Sequence, residues 1–423
     1  MATQTFLQDK TEWIKSNLVF LLLLMTLFLF VSKSLYNVPV AIMALSGLWR
    51  CFRTPKKIFS DPSVRIYSAL FLALWLPLLL SLPDAVNPGH SVRTIFPYLR
   101  FLFMGIYVLG ERANIRLFPQ LRLSAFCIAN FWGIDAMIQY FAGANLFGFP
   151  YRPGDITGMF YPDNTITHLL AALSPLYFDA LRSLGKKYAA AWLLILPLFA
   201  VVLLGGRRAA WIMLAASMCG YLFFMFRHTD LWQTSRKQLV IAAIACITIL
   251  MLLIYTNKPL QDRLLITAGL FSLDYELTDR ATARRLPIWE TSVNIIRDHW
   301  INGIGPRGFR YVYQQYSTED NLFYENGTTH PHQLVLEVLT ETGLLGFAGL
   351  LIFIYLFYKY FLTGSRLPQN YPAVLSILIV MFPLNSHLAF YGSYWSSVVW
   401  WFLVYAFLGS WDRMTYDMAD DEK

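Results

Sequence analysis

Long apolar runs separated by short polar breaks make up most of the chain. A helix that crosses a bilayer needs about 20 mainly apolar residues, and most of these runs approach that length. We therefore predict an all-α, polytopic integral membrane protein with about twelve transmembrane helices. Their expected limits are 18–33, 36–50, 66–83, 94–110, 125–147, 165–181, 188–204, 209–226, 238–255, 332–358, 371–389 and 392–410.

The composition agrees with this interpretation and excludes other classes of protein. Apolar residues occupy 57% of the 423 positions and charged residues only 14%, whereas soluble domains carry about a quarter charged residues. A soluble enzyme, a nucleic-acid-binding protein and a protein with a single membrane anchor are therefore excluded. The net charge of +8 is explained by basic loops at a membrane surface rather than by a nucleic-acid partner.

The distribution of basic residues indicates the orientation. Alternate short connections at 50–65, 111–124, 182–187, 227–237 and 359–366 contain 16 Lys and Arg residues, and the short connections of the opposite set contain 5. Because Lys and Arg collect in cytoplasmic loops, we expect the first set and both termini in the cytoplasm. The predicted organisation is helices 1–9 over 1–255, a large non-cytoplasmic segment over 256–331, helices 10–12 over 332–410 and a cytoplasmic tail over 411–423.

The large non-cytoplasmic segment has features of its own. A helical pattern is formed by Leu286, Trp289, Val293 and Ile296, and a glycine-rich turn follows at 303–308. A connection of this length is usually functional rather than a simple linker.

Two arginine pairs are candidate binding groups on the non-cytoplasmic side. Arg207 and Arg208 follow Gly205-Gly206, where the backbone can approach a ligand closely. The pair either reaches lipid phosphates at the membrane surface or binds an anionic ligand, since guanidinium groups hold phosphate bidentately. Arg284 and Arg285 form either the basic edge of a surface helix or a second contact to the same anion.

A histidine segment begins the tenth predicted span. Pro331 suits the first position of a helix, which would place His332 in the first turn, where the helix dipole favours the neutral imidazole that a general base requires. Gln333 could instead cap the helix, and the segment would then be structural. Gly343 and Gly346 have the spacing that lets helices approach closely. No spacing of cysteines suggests a metal site or a disulfide framework.

Together these motifs resemble the bacterial O-antigen ligase family, which is related to O-antigen polymerases and to protein-glycosylating oligosaccharyltransferases. The resemblance covers the layout of the spans and the large segment before the tenth span. Its strongest part is His332-Gln333, nine residues, and Gly343-Leu344-Leu345-Gly346; the other parts are 206–211, 285–289, 298–300 and 303–306. The chain departs from the family pattern at Arg207, Pro287 and Gln333.

The resemblance implies a GT-C-like glycosyltransferase in the inner membrane, with its active site facing the periplasm. The donor would be O-antigen on undecaprenyl diphosphate, the acceptor lipid A–core oligosaccharide and the product lipopolysaccharide. Arg208 and Arg285 would hold the diphosphate, and His332 would accept a proton from the attacking sugar hydroxyl, with inversion. Arg207, Arg284, His330 and Gln333 would assist binding. Neither a cofactor nor a metal is implied, and Arg208, Arg285 and His332 are expected to converge on one pocket.

Two other functions are compatible with the sequence. An O-antigen polymerase would use the same lipid-linked glycan, and a gel of lipopolysaccharide from a deletion strain distinguishes it from a ligase. A transporter or flippase of an anionic lipid belongs to a different class, since charged residues in membranes often mark substrate pathways. The candidate residues cluster at one predicted membrane face, as a transferase requires, and no internal repeat typical of transporters is visible.

Overall fold

The computed structural model describes residues 17–111, 118–363, 367–382 and 388–420. Within these ranges the regular structure is helical and contains no strand. The helices are α1 (Asn17–Val31), α2 (Asn37–Arg53), α3 (Pro55–Ser60), α4 (Pro62–Leu80), α5 (Pro88–Gly110), α6 (Phe118–Ala142), α7 (Ile166–Gly185), α8 (Ile195–Leu204), α9 (Arg208–Arg227), α10 (Thr229–Thr256), α11 (Lys258–Ala268), α12 (Tyr275–Ala281), α13 (Leu286–Asp298), α14 (Phe309–Tyr316), α15 (Leu334–Phe357), α16 (Leu367–Val380) and α17 (Ser393–Asp420).

Six of the described helical segments are long and apolar enough to cross a membrane: Pro62–Asp84, Pro88–Gly110, Pro119–Ala142, Arg208–Arg227, Leu239–Thr256 and Leu334–Leu362. Three shorter apolar helices lie at Asn17–Val31, Ala189–Leu204 and Asn370–Val380. The all-helical class and the membrane character are thus confirmed. The number of twelve spans stays a prediction, because six of the described segments are long and apolar enough to span a membrane, and the GT-C-like architecture also stays a prediction.

The chain divides into two compact units. Unit 1 comprises residues 1–118, 284–370 and 383–423, and unit 2 comprises residues 119–283 and 371–382. In unit 1, α5 packs against α2, α4 and α17, while α15 packs against α4. Buried aromatic rings fill the space between these helices; the ring of Trp400 on α17 lies 5.2 Å from that of Phe71 on α4, and its indole N–H donates to Tyr98 on α5.

Helix α15 is broken at Gly343, which has a φ of 60°. At the break, the N–H groups of Leu344 and Leu345 donate to the carbonyls of Trp300 and Ile301 instead of bonding within the helix. The carbonyls released from α15, those of Thr340 and Glu341, accept the N–H groups of residues 304 and 305 at 2.9 and 3.0 Å. Gly343 therefore joins α15 to the glycine-rich turn, rather than acting only as a contact between helices.

The glycine-rich turn and the helices around it enclose a small hydrophobic core. Its members are Ile288, Ile295, Ile304, Phe309, Val312 and Tyr313. Full burial of one such side chain contributes roughly 1.5–3 kcal/mol. The helical pattern predicted from Leu286 to Ile296 is confirmed as α13, whose buried stripe runs through Ile288 and Ile295, while Val293 is 40% exposed. Trp300 and Tyr311 lie about half exposed, whereas Tyr313 is a core residue.

Unit 2 is built around α7, which is buried along almost its whole length. It packs against α8 and α9, and the Ser174 hydroxyl on α7 donates to Ser217 on α9 at 2.6 Å. At one end of α7, Asp179 pairs with Arg122 and Arg182. Near the end of α6, Asp135 and Gln139 order the connection to α7, since Asp135 accepts the side-chain amide of Asn145 and Gln139 accepts the N–H of Gly158.

Candidate functional site

The histidine segment lies outside α15. The helix begins at Leu334, and Gln333 is its N-cap, with a side-chain oxygen that accepts the N–H of Leu336. The prediction that Pro331 begins the helix and that His332 lies in its first turn was therefore wrong. The cap formed by Gln333 satisfies an N–H group of the first turn. His332 has a φ of 55°, which is not helical, so the helix does not extend back to this residue. The predicted capping role of Gln333 is the one that the structure contains.

His330 and His332 are in direct contact. Their ring centroids lie 3.9 Å apart with the planes tilted by 51°. His330 is buried, with 6% of its surface exposed, and its Nδ1 lies 2.9 Å from the hydroxyl of Thr329; His332 is more accessible. The contact therefore places two groups that can each accept a proton at one position of unit 1.

The start of α13 is tied to the histidine segment. The indole N–H of Trp289 donates to the carbonyl of Pro331 at 3.2 Å, and one turn earlier Arg285 is the N-cap of α13. Arg284 precedes it with a φ of 62°. Both arginines are partly buried. Trp289 thus holds the first turn of α13, which Arg285 caps, against Pro331 between the two histidines, all within unit 1.

Arg208 begins α9 in unit 2, one residue before the predicted start of that span. Its guanidinium donates to the carbonyl oxygens of Arg280, at 3.0 Å, and Ala281, which are the last residues of α12. These carbonyls end a helix and have no partner within it. Arg208 therefore fastens the end of α12 to the start of α9, in addition to any role toward a ligand.

Arg207 pairs with Asp155, with 3.3 Å between Nη2 and Oδ1. The same carboxylate oxygen accepts the side-chain amide of Asn164 at 2.7 Å, and that amide also donates to the carbonyl of Gly205 at 2.9 Å. Arg207 is thereby held on the connection between α6 and α7.

A third arginine completes this group. Arg263 on α11 donates to the carbonyl of Gly154 at 3.1 Å, and its guanidinium lies against Gly206. Gly206 has a φ of 64°, and a Cβ atom there would lie 1.0 Å from Arg263 Nη1. The space that the glycine pair was expected to leave for a ligand is thus used by a side chain of the protein. Burial, together with the positive charge of Arg207, lowers the pKa of Arg263.

The arginine group of unit 2, meaning Arg207, Arg208 and Arg263, carries more positive charge than its neighbours neutralise. Asp155 is the carboxylate that pairs with it among the described residues. Guanidinium groups arranged in this way suit a diphosphate, which offers several oxygen acceptors. In the described ranges, no three His, Cys, Asp or Glu side chains lie together as a metal-binding group.

Residues 192–351 match the family model of the O-antigen ligases. This match, which covers less than half of the chain, supports an assignment to the O-antigen ligase family. The family includes ligases and polymerases of lipid-linked polysaccharide, so the match supports an enzyme that acts on lipid-linked substrates in a membrane. No curated protein matches the chain.

The O-antigen ligase domain contains all seven of the predicted site residues, which are Arg207, Arg208, Arg284, Arg285, His330, His332 and Gln333. Their roles stay predictions, and so does the convergence of Arg208 with Arg285 and His332. Arg263 lies in the same domain, and sequence reasoning missed it. Only its position in the large predicted periplasmic segment could have suggested it, because it belongs to no local motif and its partner Gly154 is 109 residues away.

Proposed function

We propose that the protein is an O-antigen ligase of lipopolysaccharide biosynthesis. It transfers O-antigen from undecaprenyl diphosphate to lipid A–core oligosaccharide at the periplasmic face of the inner membrane. The observation that carries this proposal is the family match over residues 192–351, which contains the arginine group of unit 2 and the paired histidines of unit 1. The six candidate spans supply the membrane setting that a lipid-linked donor requires.

In the proposed reaction, a hydroxyl oxygen of the acceptor sugar attacks the anomeric carbon of the donor glycan. The bond from that carbon to the diphosphate oxygen breaks, and undecaprenyl diphosphate leaves with the electron pair. Arg208 and Arg285 stabilise the negative charge that develops on this leaving group, and Arg207 and Arg284 add positive charge. Preorganised cationic donors of this kind are usually a large part of catalysis, and loss of one costs about 10²–10³ in turnover.

His332 accepts the proton of the attacking hydroxyl. Its greater accessibility relative to His330 supports this choice, because a base must come within hydrogen-bond distance of the substrate. His330 holds the second ring against it and is a positioning residue. Gln333 has a structural role as the helix cap.

Deletion of the gene tests the function. A ligase predicts that all O-antigen bands on lipopolysaccharide disappear while polymer linked to the lipid carrier accumulates. Lipid A–core bearing one repeat unit would instead identify a polymerase. A strain that makes normal lipopolysaccharide, or that accumulates carrier-linked polymer only on the cytoplasmic side as a missing flippase would cause, would overturn the proposal.

Two histidine variants, His332→Ala and a control, test the mechanism. We expect His332→Ala, expressed in the deletion strain, to reduce attachment of O-antigen by at least about 100-fold, because a general base contributes roughly 10²–10⁴. His228→Ala is the matched control, since that ring contacts Phe224 at the end of α9. Attachment at the normal rate by the His332 variant, at equal amounts in the membrane, would contradict the assignment.

A further inference from the structure

A second cationic site lies in unit 1, in a cavity of about 270 Å³. It is bounded by the first turns of α5, by the glycine-rich turn with the start of α14, and by the residues before α17. Its lining consists of His90, Arg93, Thr94, Pro97, Tyr98, Arg100, Arg307, Arg310, Tyr391, Gly392 and Ser393. This volume is close to the lower end of ligand pockets, roughly 300 Å³, and suits a small headgroup rather than a glycan.

Four arginines and one histidine line the cavity, and none of its described lining residues is a carboxylate. The two nearby glutamates are buried in α15 and bind backbone instead. Glu341 accepts the N–H of Arg307 at 2.7 Å, and Glu337 accepts the N–H groups at 390 and 391 at 2.9 and 3.0 Å. None of the ion pairs within the described part of the chain involves the four arginines of the cavity.

Two guanidinium groups of the cavity have buried donors without an acceptor in the described residues, namely Arg100 Nε and Arg307 Nη1. The remaining nitrogens of Arg100 are held in place, with Nη2 donating to the hydroxyl of Ser393 at 2.6 Å and Nη1 to the carbonyl of Pro97 at 3.2 Å. A buried donor without a partner costs about 1–3 kcal/mol, and more when it is charged. An acceptor that enters the cavity would remove this cost.

The positive charges also act on one another. Burial, followed by the charge of Arg307, lowers the pKa of Arg310. Arg93 and Arg100 are seven residues apart on α5, so the cationic wall extends roughly 10 Å along that helix. Helix α5 is a candidate membrane span over Pro88–Gly110, so this wall extends from near the start of the span to its middle, where an uncompensated charge is costly.

We infer that this cavity binds a phosphate group, either as the headgroup of a membrane lipid or as a free phosphate or diphosphate. A phosphate presents three or more oxygens in different directions and so engages several guanidinium groups at once, whereas a carboxylate is satisfied by one bidentate arginine. The site involves none of the arginines assigned above to the donor. The inference therefore does not depend on the proposed transfer reaction.

Arginine modification on the purified full-length protein tests the inference at the level of single residues. The protein in neutral detergent is treated with phenylglyoxal, and the modified residues are mapped by mass spectrometry. The probes are inorganic phosphate, pyrophosphate, and mixed micelles that contain phosphatidic acid or, as a zwitterionic control, phosphatidylcholine. We expect a phosphate probe to slow modification of Arg307 and Arg310 at least fivefold, while the exposed Arg297 on α13 reacts at an unchanged rate.

The pattern of protection identifies the source of the phosphate. Protection by pyrophosphate or phosphate alone indicates a soluble anion, and protection only by phosphatidic acid indicates a lipid headgroup. The inference would be overturned if no probe changed the rate at which phenylglyoxal modifies Arg307 and Arg310. It would also be overturned if phosphatidylcholine protected them as well as phosphatidic acid does.

Variants give a second, independent measurement. We expect Arg310→Gln to weaken binding of the protective probe to this site at least tenfold, read as loss of protection at Arg307, and Arg297→Gln to leave it unchanged. Arg310 is exposed, so its replacement should not unfold the protein. Unchanged protection in the Arg310 variant would contradict the site. Arg100→Lys retains the charge but not the fork of donors, and should weaken binding less than Arg100→Gln.

Discussion

The arginine group of unit 2 and the arginine-lined cavity of unit 1 contain the same kind of side chain in different surroundings. In unit 2, Arg207, Arg208 and Arg263 bond to a carboxylate and to backbone carbonyls, and Nε of Arg207 is the buried donor left without an acceptor among the described residues of this group. In unit 1, Arg100 and Arg307 keep buried donors without an acceptor beside an open cavity. A sequence motif of arginines thus does not by itself identify the groups that are most available to an anion.

The difference has a physical origin in the surrounding backbone. The arginines of unit 2 lie beside the carbonyl end of α12 and the connection before α7, both of which supply acceptors. The cavity of unit 1 is walled by the N-terminal half of α5, where the acceptor that Arg100 finds is the Pro97 carbonyl, and by a turn whose N–H groups bond to α15. An arginine there finds few acceptors in the protein, which favours an acceptor from outside.

Replacing Gly343 by Ala tests the unit 1 half of this comparison and should have the largest effect on stability. A Cβ atom at this position would lie 2.3 Å from the backbone of Ile301, and the φ of 60° disfavours any side chain. Strain and overpacking together should cost about 3–5 kcal/mol. Thermal unfolding of the purified protein measures it, and phosphate protection at Arg307 should be lost as the glycine-rich turn shifts.

Gly327→Ala is the matched control, because Gly327 has a φ of 63° but nothing within 4 Å of the added carbon. Its free energy of unfolding should fall only by the cost of the backbone strain, about 1–2 kcal/mol. Equal stability losses in the two variants would mean that the contact between α15 and residues 300–305 contributes nothing.

Replacing Arg208 by Ala separates its two roles in unit 2. Loss of the guanidinium removes the donor to the carbonyl of Ala281, while that of Arg280 keeps the N–H of Ala283, and this should cost about 1–3 kcal/mol of stability. If Arg208 also stabilises the leaving diphosphate, turnover should fall by about 10²–10³ in the protein that remains folded. Measurement requires both a thermal scan and a transfer assay with lipid-linked donor.

Arg280→Ala controls for the local change of charge, since the side chain of Arg280 is exposed and pairs with Glu276. We expect its effects on stability and turnover to stay within about threefold. If the Arg208 variant is less stable but turns over at the normal rate per folded molecule, Arg208 has only a structural role. The two arginine sites would then differ in function as well as in their surroundings.

Gly206→Ala tests whether the position of Arg263 matters to unit 2. The added Cβ atom would displace the guanidinium of Arg263, which is the end of a flexible side chain, so most of the cost is the strain of a φ of 64°, about 1–2 kcal/mol. Gly148→Ala has the same type of strain, at a φ of 81°, with open space around it. We expect similar stabilities for both variants and a roughly tenfold lower turnover for the Gly206 variant alone. Equal turnover would show that Arg263 is dispensable.

The local patterns in the sequence predicted the all-helical class and placed the start of α9 within one residue, because long apolar runs have few alternatives in a membrane. They do not say which face of a helix is buried when a distant partner decides it. Leu286 with Val293, and Ile288 with Ile295, are both apolar pairs spaced by two turns; Ile304 and Phe309 decide which pair is buried.

The site residues also separate into those that a local motif identifies and those that only the fold brings together. The His330–Gln333 motif was visible in the sequence, but the side chain of Gln333 competes with Pro331 for the start of α15, and propensity alone favoured proline. Arg100, Arg307 and Arg310 come from segments about 200 residues apart and share no motif. Their common feature is a cavity, which arises only from the fold.

Asp155→Asn should have the smallest effect and sharpens the comparison most directly, because it makes unit 2 resemble unit 1. It removes the carboxylate that pairs with Arg207 but retains an oxygen that can accept from Asn164. The pair is partly exposed and worth at most about 1 kcal/mol, so stability should change little. Affinity for pyrophosphate, read as protection of Arg207 and Arg263 from phenylglyoxal, should rise about two- to fivefold, and the gain should shrink at high salt.

Asp262→Asn is the matched control, since Asp262 is exposed on α11 and pairs with Lys258. A fall in protection in the Asp155 variant would mean that the carboxylate holds Arg207 in place for the ligand. The bonds within the arginine group of unit 2 would then position the guanidinium groups for an anion rather than compete with it.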